Sequence, residues 1–154
     1  MAKASSLFPS LAMLTLIVGC ATRQQAHLWI SDNKIRRTVI DDALRRYPLG
    51  PDENVRVTEL GQSESASHHL AQVRFSEPWH IHRFHDLTVL IYRGTGILQV
   101  GTNELAVAAG DILFVPRGLP HRMINQSQRP SVAVVVFTPA LKEKDFEPID
   151  HENR

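Results

Sequence analysis

Gly110-Asp111-Ile112-Leu113-Phe114-Val115-Pro116-Arg117-Gly118-Leu119-Pro120-His121-Arg122-Met123-Ile124-Asn125 is the stretch on which the fold turns. Gly110 permits a tight turn into a strand, and Gly118 can take backbone angles denied to other residues. Pro116 and Pro120 stiffen the approach to His121. The histidine is thereby aimed rather than left free. On either side of it, Asp111–Val115 and His121–Asn125 read as two short strands bounded by turn residues.

Upstream lies a second cluster, Trp79-His80-Ile81-His82-Arg83-Phe84-His85-Asp86. Side chains alternate along an extended strand, so His80 and His82 project from one face and can hold a single ion through two ring nitrogens. Two ligands do not make a site. His121 offers the third. Trp79 has the opposite parity to His80 and is expected on the outside. His68 and His69 are neighbours on a strand, point to opposite faces and complete no site, while His27 and His151 are expected in solvated ends.

The surrounding pattern is one of short strands. Candidates are Val55–Leu60, Leu70–Phe75, Leu87–Tyr92, Ile97–Val100, Leu105–Val107, Asp111–Val115, His121–Asn125 and Val132–Thr138, with turns at Gly94-Thr95-Gly96, Gly101-Thr102-Asn103 and Pro116-Arg117-Gly118. Eight such strands predict an all-β jelly roll or barrel. Phe75, Val89, Ile91, Leu98, Val100, Phe114 and Met123 alternate as a barrel lining should, and Tyr92 or Arg117 is expected near the mouth. Before the strands, Ile35, Val39, Ala43, Leu44 and Tyr47 recur at helical spacing, which predicts one amphipathic helix within residues 31–50. Ser31 or Asp32 would cap it, Asp41 with Arg45 and Asp42 with Arg46 would pair along it, and Pro48 with Gly50 would end it.

The spacing Gly-x5-Pro-x-Gly-x2-His-x3-Asn, carried by Gly110, Pro116, Gly118, His121 and Asn125, resembles the second motif of the cupin superfamily, complete at every defining position. The first motif, Gly-x5-His-x-His-x3or4-Glu-x6-Gly, is met by His80, His82 and Gly94. Arg74 stands at its first glycine, and no glutamate is present. Asp86 has the shorter ligand spacing after His82, whereas counting back from Gly94 reaches Leu87, which coordinates nothing. Fifteen residues lie between Gly94 and Gly110, a short linker similar to that of compact single-domain microbial cupins.

The resemblance implies a cupin jelly roll, or double-stranded β-helix barrel, over residues 53–140, with a charged tail over 141–154 that loosely covers one edge. It implies a divalent transition metal, iron, manganese, zinc, nickel or copper, whose identity ligand counting does not decide. His80, His82 and His121 form the first-ranked ligand set. Asp86 remains a candidate oxygen ligand, and His85 a candidate nitrogen ligand with Asp86 orienting a ligand from behind. The implied function is a small-molecule metalloenzyme of the dioxygenase or isomerase kind. The alternative is a non-catalytic metal- or metabolite-binding protein, favoured by the missing glutamate and by the lack of an obvious general base elsewhere. The resemblance also allows a homodimer through the barrel edges.

At the other end, an uncharged apolar stretch from Leu7 to Val18 follows Lys3 and closes on Ile17-Val18-Gly19-Cys20. This is the layout of a signal peptide over residues 1–19, too short for a spanning helix of ~20 residues. Ile-Val-Gly-Cys resembles a bacterial lipobox, making Cys20, the only cysteine, the expected lipidation site, with residues 20–30 as a polar tether. Ala21 follows rather than an acidic residue. The resemblance to Gram-negative lipoproteins therefore implies an outer-membrane protein facing the periplasm, with the membrane as a partner through the anchor.

The 154 residues hold one ordinary domain, and 43% hydrophobic with 21% charged residues argues against disorder. A net charge of +1, with basic and acidic residues interspersed, excludes an electrostatic nucleic-acid partner. A small, weakly charged ligand fits better.

Overall fold

A computed structural model of the chain describes residues 24–31 and 33–150. Among the described residues, alternating apolar residues and frequent turn residues give twelve strands, and every pairing between them is antiparallel. In chain order these are β1 (Ala26–Ser31), β2 (Lys34–Val39), β3 (Val55–Gln62), β4 (Ser67–Val73), β5 (His80–Ile81), β6 (Asp86–Arg93), β7 (Thr95–Val100), β8 (Asn103–Ala108), β9 (Ile112–Val115), β10 (His121–Asn125), β11 (Ser131–Thr138) and β12 (Glu147–Pro148). One sheet has the order β3-β4-β11-β6-β9, the other β12-β5-β10-β7-β8. Their facing side chains, among them Leu87, Ile91, Leu98, Val115, Met123 and Phe137, form the core between the sheets. All eight strands read from the sequence are present, with ends shifted by a few residues.

The motif residues can be seen closing the turns. Gly94 has φ +100°, and a Cβ there would meet Ser131 Oγ at 2.5 Å. Asn125 knits the loop before β11. Its amide donates to the carbonyls of Arg74 and Arg129, and its oxygen accepts from Ser127 N–H and the Ser131 hydroxyl. Arg74, standing where the first motif has glycine, donates from Nη2 to the Gly50 carbonyl at 2.7 Å and so ties down the turn before β3.

The segment before the barrel differs from the expectation. The helix α1 spans only Ile40–Arg46, because residues 34–39 pair with residues 26–31 as a hairpin. The tether expected over residues 20–30 is thus partly strand β1, and Trp29 from it lies on Gly61 of β3, where a Cβ would come within 2.5 Å of the indole. The start of α1 lies further along the chain than the expected caps Ser31 or Asp32. The N-cap is Val39, with no side-chain bond, and Asp32 lies outside the described residues. Arg45 pairs with Asp42 rather than Asp41, which faces Arg93 at 3.7 Å. Ile40, Ala43 and Leu44 do bury one face of α1 against Leu70 and Val132, so the amphipathic reading holds for the seven residues that are helical. His27 is half-buried and bonded to His68 at 2.6 Å, not solvated. Cys20, His151 and the signal-peptide stretch lie outside the described residues.

Candidate metal centre

β5 and β10 run side by side with His80 directly opposite His121. His82 follows at the end of β5, two residues on and therefore on the same face. The loop of the second motif is fastened to this end of β5, since Gly118 N–H donates to the His82 carbonyl at 2.7 Å with Gly118 in the left-handed region at φ +75°. The result brings the three rings together, with centroids 4.3 Å apart for His80 and His121, 5.0 Å for His80 and His82, and 5.4 Å for His82 and His121. One ring nitrogen from each lies within 4.8 Å of the others, a group able to hold one metal ion, and all three residues are buried.

Hydrogen bonding decides which nitrogens are offered. Nδ1 of His80 is bonded to the Pro78 carbonyl and Nδ1 of His121 to the Leu119 carbonyl, both at 2.9 Å, and Nδ1 of His82 to the Asp145 carbonyl. A carbonyl only accepts, so each Nδ1 carries the proton and each Nε2 keeps a free lone pair. This is how metal-ligating imidazoles are oriented. Burial also keeps the rings neutral: it pushes His80 down to about 3 and His121 down to about 4, and it lowers His82 against the opposing pull of Asp145. Three neutral, oriented imidazoles form a donor set suited to a divalent transition metal.

The other two candidate ligands are committed elsewhere. Asp86 accepts from the backbone and guanidinium of Arg117, with Oδ2 2.7 Å from Nη2, and that pairing holds its carboxyl down at about 2. Arg117 therefore anchors Asp86 instead of reaching into the mouth. His85 is buried, but its Nδ1 bonds the Asp145 carboxylate. Neither belongs to the three-nitrogen group.

The three rings stand on the wall of a cavity of about 140 Å³. Val89, Ile91, Leu98 and Met123 line it as expected, and Val100 packs beside them in the core. Phe75 and Phe114 do not, being 69% and 65% exposed. The lining parity in β9 belongs to Leu113 and Val115. Tyr92 sits outside against α1, and Trp79 outside beneath the Arg122 guanidinium.

Two contributors went unread in the sequence. Among the described residues Glu77 is the one carboxyl lining the cavity, and it accepts the Met123 N–H at 3.1 Å. Burial pushes it up to about 7. The sequence offered no obvious general base, and the structure places this carboxyl in the cavity wall. Glu77 stands three residues before His80, an odd spacing that strand alternation assigns to the opposite face, and Pro78 breaks the strand between them. The second is Phe146, which stacks on His80 at 4.3 Å and closes part of the cavity. A lone aromatic in a charged tail was its only signal.

Comparison with known proteins agrees with this architecture. The family described as "Cupin domain" matches residues 67–137. An uncharacterised protein of Aquifex aeolicus (strain VF5) is 32% identical over 96 residues, covering 62% of this chain and 78% of that one. The crystal structure of TT1209 from Thermus thermophilus superposes with a TM-score of 0.55 at 27% identity, over 63% of this chain and 94% of the other. Streptomyces PAC13 with uridine gives a TM-score of 0.55 at 18% identity, over 63% and 79% of the two chains, a likeness of fold alone. With the second motif intact, both sheets in place and a relative covered over most of its length, this chain belongs to the cupin family.

Proposed function

We propose that this protein is a metal-dependent enzyme acting on a small, mostly apolar molecule that bears a ligating oxygen, with isomerase-like proton transfer ranked ahead of dioxygenase chemistry. The observation that carries the reading is the delivery of three Nε2 lone pairs, from His80, His82 and His121, onto the wall of an apolar cavity. A bound ion with three protein ligands supplies a Lewis acid with positions left for substrate or water, and oxygen chemistry if it is iron. The residues do the rest. A cavity of about 140 Å³ suits a compound near benzene in size, since an engineered apolar cavity of ~150 Å³ holds benzene. The apolar walls exclude water, and Glu77, with its proton held to about 7, is poised to take or give one near neutral pH. That carboxyl is what favours proton transfer.

The test begins with the metal content of the exported protein purified without chelating tags. Near-stoichiometric metal in wild type and in Asp86→Asn, lost in His80→Ala and His121→Ala, is the expected result. Absence of metal from wild type even after reconstitution would sink the reading. The loaded protein is then offered small ketones, hydroxy acids and phenols, with deuterium incorporation from D2O and oxygen uptake as the two readouts. Binding of these compounds with neither readout would establish the alternative, a non-catalytic metal- or metabolite-binding protein.

We also propose that the protein is exported and anchored through Cys20 in the outer membrane, facing the periplasm. The support is the apolar stretch that ends at the only cysteine. Cys20→Ser should move the protein from the membrane to the soluble fraction. An unchanged distribution would remove the anchor from the account.

A further inference from the structure

The three histidines are oriented alike, but by different parts of the chain. The carbonyls that hold His80 and His121 come from Pro78 and Leu119, each two residues earlier, so the approach to each strand carries its own orienting group. The carbonyl that holds His82 belongs to Asp145, 63 residues later, in the charged tail. Nothing local fixes the His82 ring.

The tail is docked at this point with unusual care. The Asp145 carboxylate accepts the backbone N–H groups of Arg83 and Phe84, each at 2.9 Å, and the Nδ1 of His85. These bonds hold it below the ordinary carboxylate range although burial works the other way. Phe146 stacks on His80, Glu147 pairs with Ile81 across β5 and β12, its carboxylate meets the Arg83 guanidinium at 2.5 Å, and Ile149 N–H donates to the Trp79 carbonyl. Covering a sheet edge needs none of this, because exposed charge is enough to blunt one. A carboxylate buried under three donors is costly to assemble, and it is placed where the ligand-bearing strand ends.

We propose that Asp145 is a positioning residue of the metal centre: its carboxylate fixes the loop over residues 83–85 and thereby sets its own carbonyl against His82, so that Nε2 of His82 faces the ion. This rests on the metal reading above, and the test separates the two. The full chain is labelled with 15N-histidine, and the tautomers are read by long-range 1H–15N correlation without metal, then with Co(II) as a spectroscopic ion. Wild type should show all three rings protonated at Nδ1. In Asp145→Ala, His82 should become a tautomer mixture while His80 and His121 stay fixed, Co(II) affinity should fall ~10- to 100-fold, and the visible absorption of the bound ion should change. Asp145→Asn, which keeps an acceptor oxygen, should restore the His82 tautomer and most of the affinity. Should Asp145→Ala fail to fold, the paired exposed change Arg83→Ala with Glu147→Ala loosens the same segment and should give a smaller shift in the same direction. An unchanged His82 tautomer with unchanged Co(II) affinity in these variants would overturn the proposal. Tautomer dependence in a protein that binds no Co(II) would instead discard the metal reading and leave the hold of Asp145 on His82 established.

Discussion

A carboxylate moved into an apolar cavity loses its hydration, and Glu77 answers by keeping its proton up to about 7. Glu77→Gln keeps the shape and an oxygen for the Met123 N–H while removing the ionisation. Its metal content should match wild type, because the three-nitrogen group contains no carboxylate. On any compound that wild type turns over by proton transfer, the rate should fall ~100-fold or more. Without metal the sign of the stability effect also follows. A group raised from 4.5 to about 7 contributes stability that is full below 4.5 and lost as pH rises through 7. The Gln variant should therefore gain on wild type between those values and hold a constant lead above them, read by urea unfolding at several pH values. A constant difference from pH 4.5 upward would show that Glu77 ionises freely. Such a residue was illegible because its side chain reaches the cavity from an irregular segment, whereas His80 and His82 were marked by their even spacing and His121 by the second motif. Asp86 shows the reverse failure. Its distance from His82 fits a ligand, but spacing says nothing of Arg117, 31 residues on, which pairs with it.

The turn of the second motif was legible down to single residues, and Gly118 tests why. At φ +75° with no atom within 4 Å of a built Cβ, the penalty for a side chain there is one of backbone conformation alone. Gly118→Ala should cost ~1–2 kcal/mol in unfolding free energy. Because Gly118 N–H holds the His82 carbonyl, the same change should weaken metal binding, measured by competition with a coloured chelator. Loss of stability with intact metal affinity would mean that the two loops are not coupled. The hairpin was misread for a definite reason. Ile35 and Val39 lie four apart, an interval that places them on one face of a helix and equally on one face of a strand, and local pattern cannot choose between them. The pairing of residues 26–31 with 34–39 chose. Strand β12 is two residues long and β5 likewise, below any length at which alternation can be recognised, so the segment that completes the metal centre was read as a loose tail.

The barrel as a unit buries bases that water would otherwise protonate, which ties its stability to acidity. His80 is depressed to about 3 and His69 and His121 to about 4, in each case chiefly by burial, and His82 and His27 are lowered in the same direction. An unfolded imidazole takes up its proton near 6.5, so below that value the unfolded chain binds protons that the folded chain refuses, and stability falls as pH drops. Glu77 works in the opposite sense, since the folded chain holds its proton up to about 7 while the unfolded chain releases it above 4.5. Near pH 5.5 the three strongly depressed histidines outweigh the one carboxyl by about two protons, and the free energy of unfolding of the metal-free protein should drop by roughly 2 to 3 kcal/mol per pH unit. Thermal melts without metal from pH 7.5 to 4.5 should therefore show a Tm that falls through the range below about 6.5. His69→Gln should remove one proton from the slope without touching the metal centre, because His69 bonds Ser67 on β4 and lies outside the three-nitrogen group. With metal bound, the three imidazoles cannot take up protons at all, so the fall should continue below about 4 until the ion is displaced. A Tm independent of pH across this range would mean that the histidines are hydrated in the folded chain, and the apolar cavity with its oriented lone pairs would have to be given up with them.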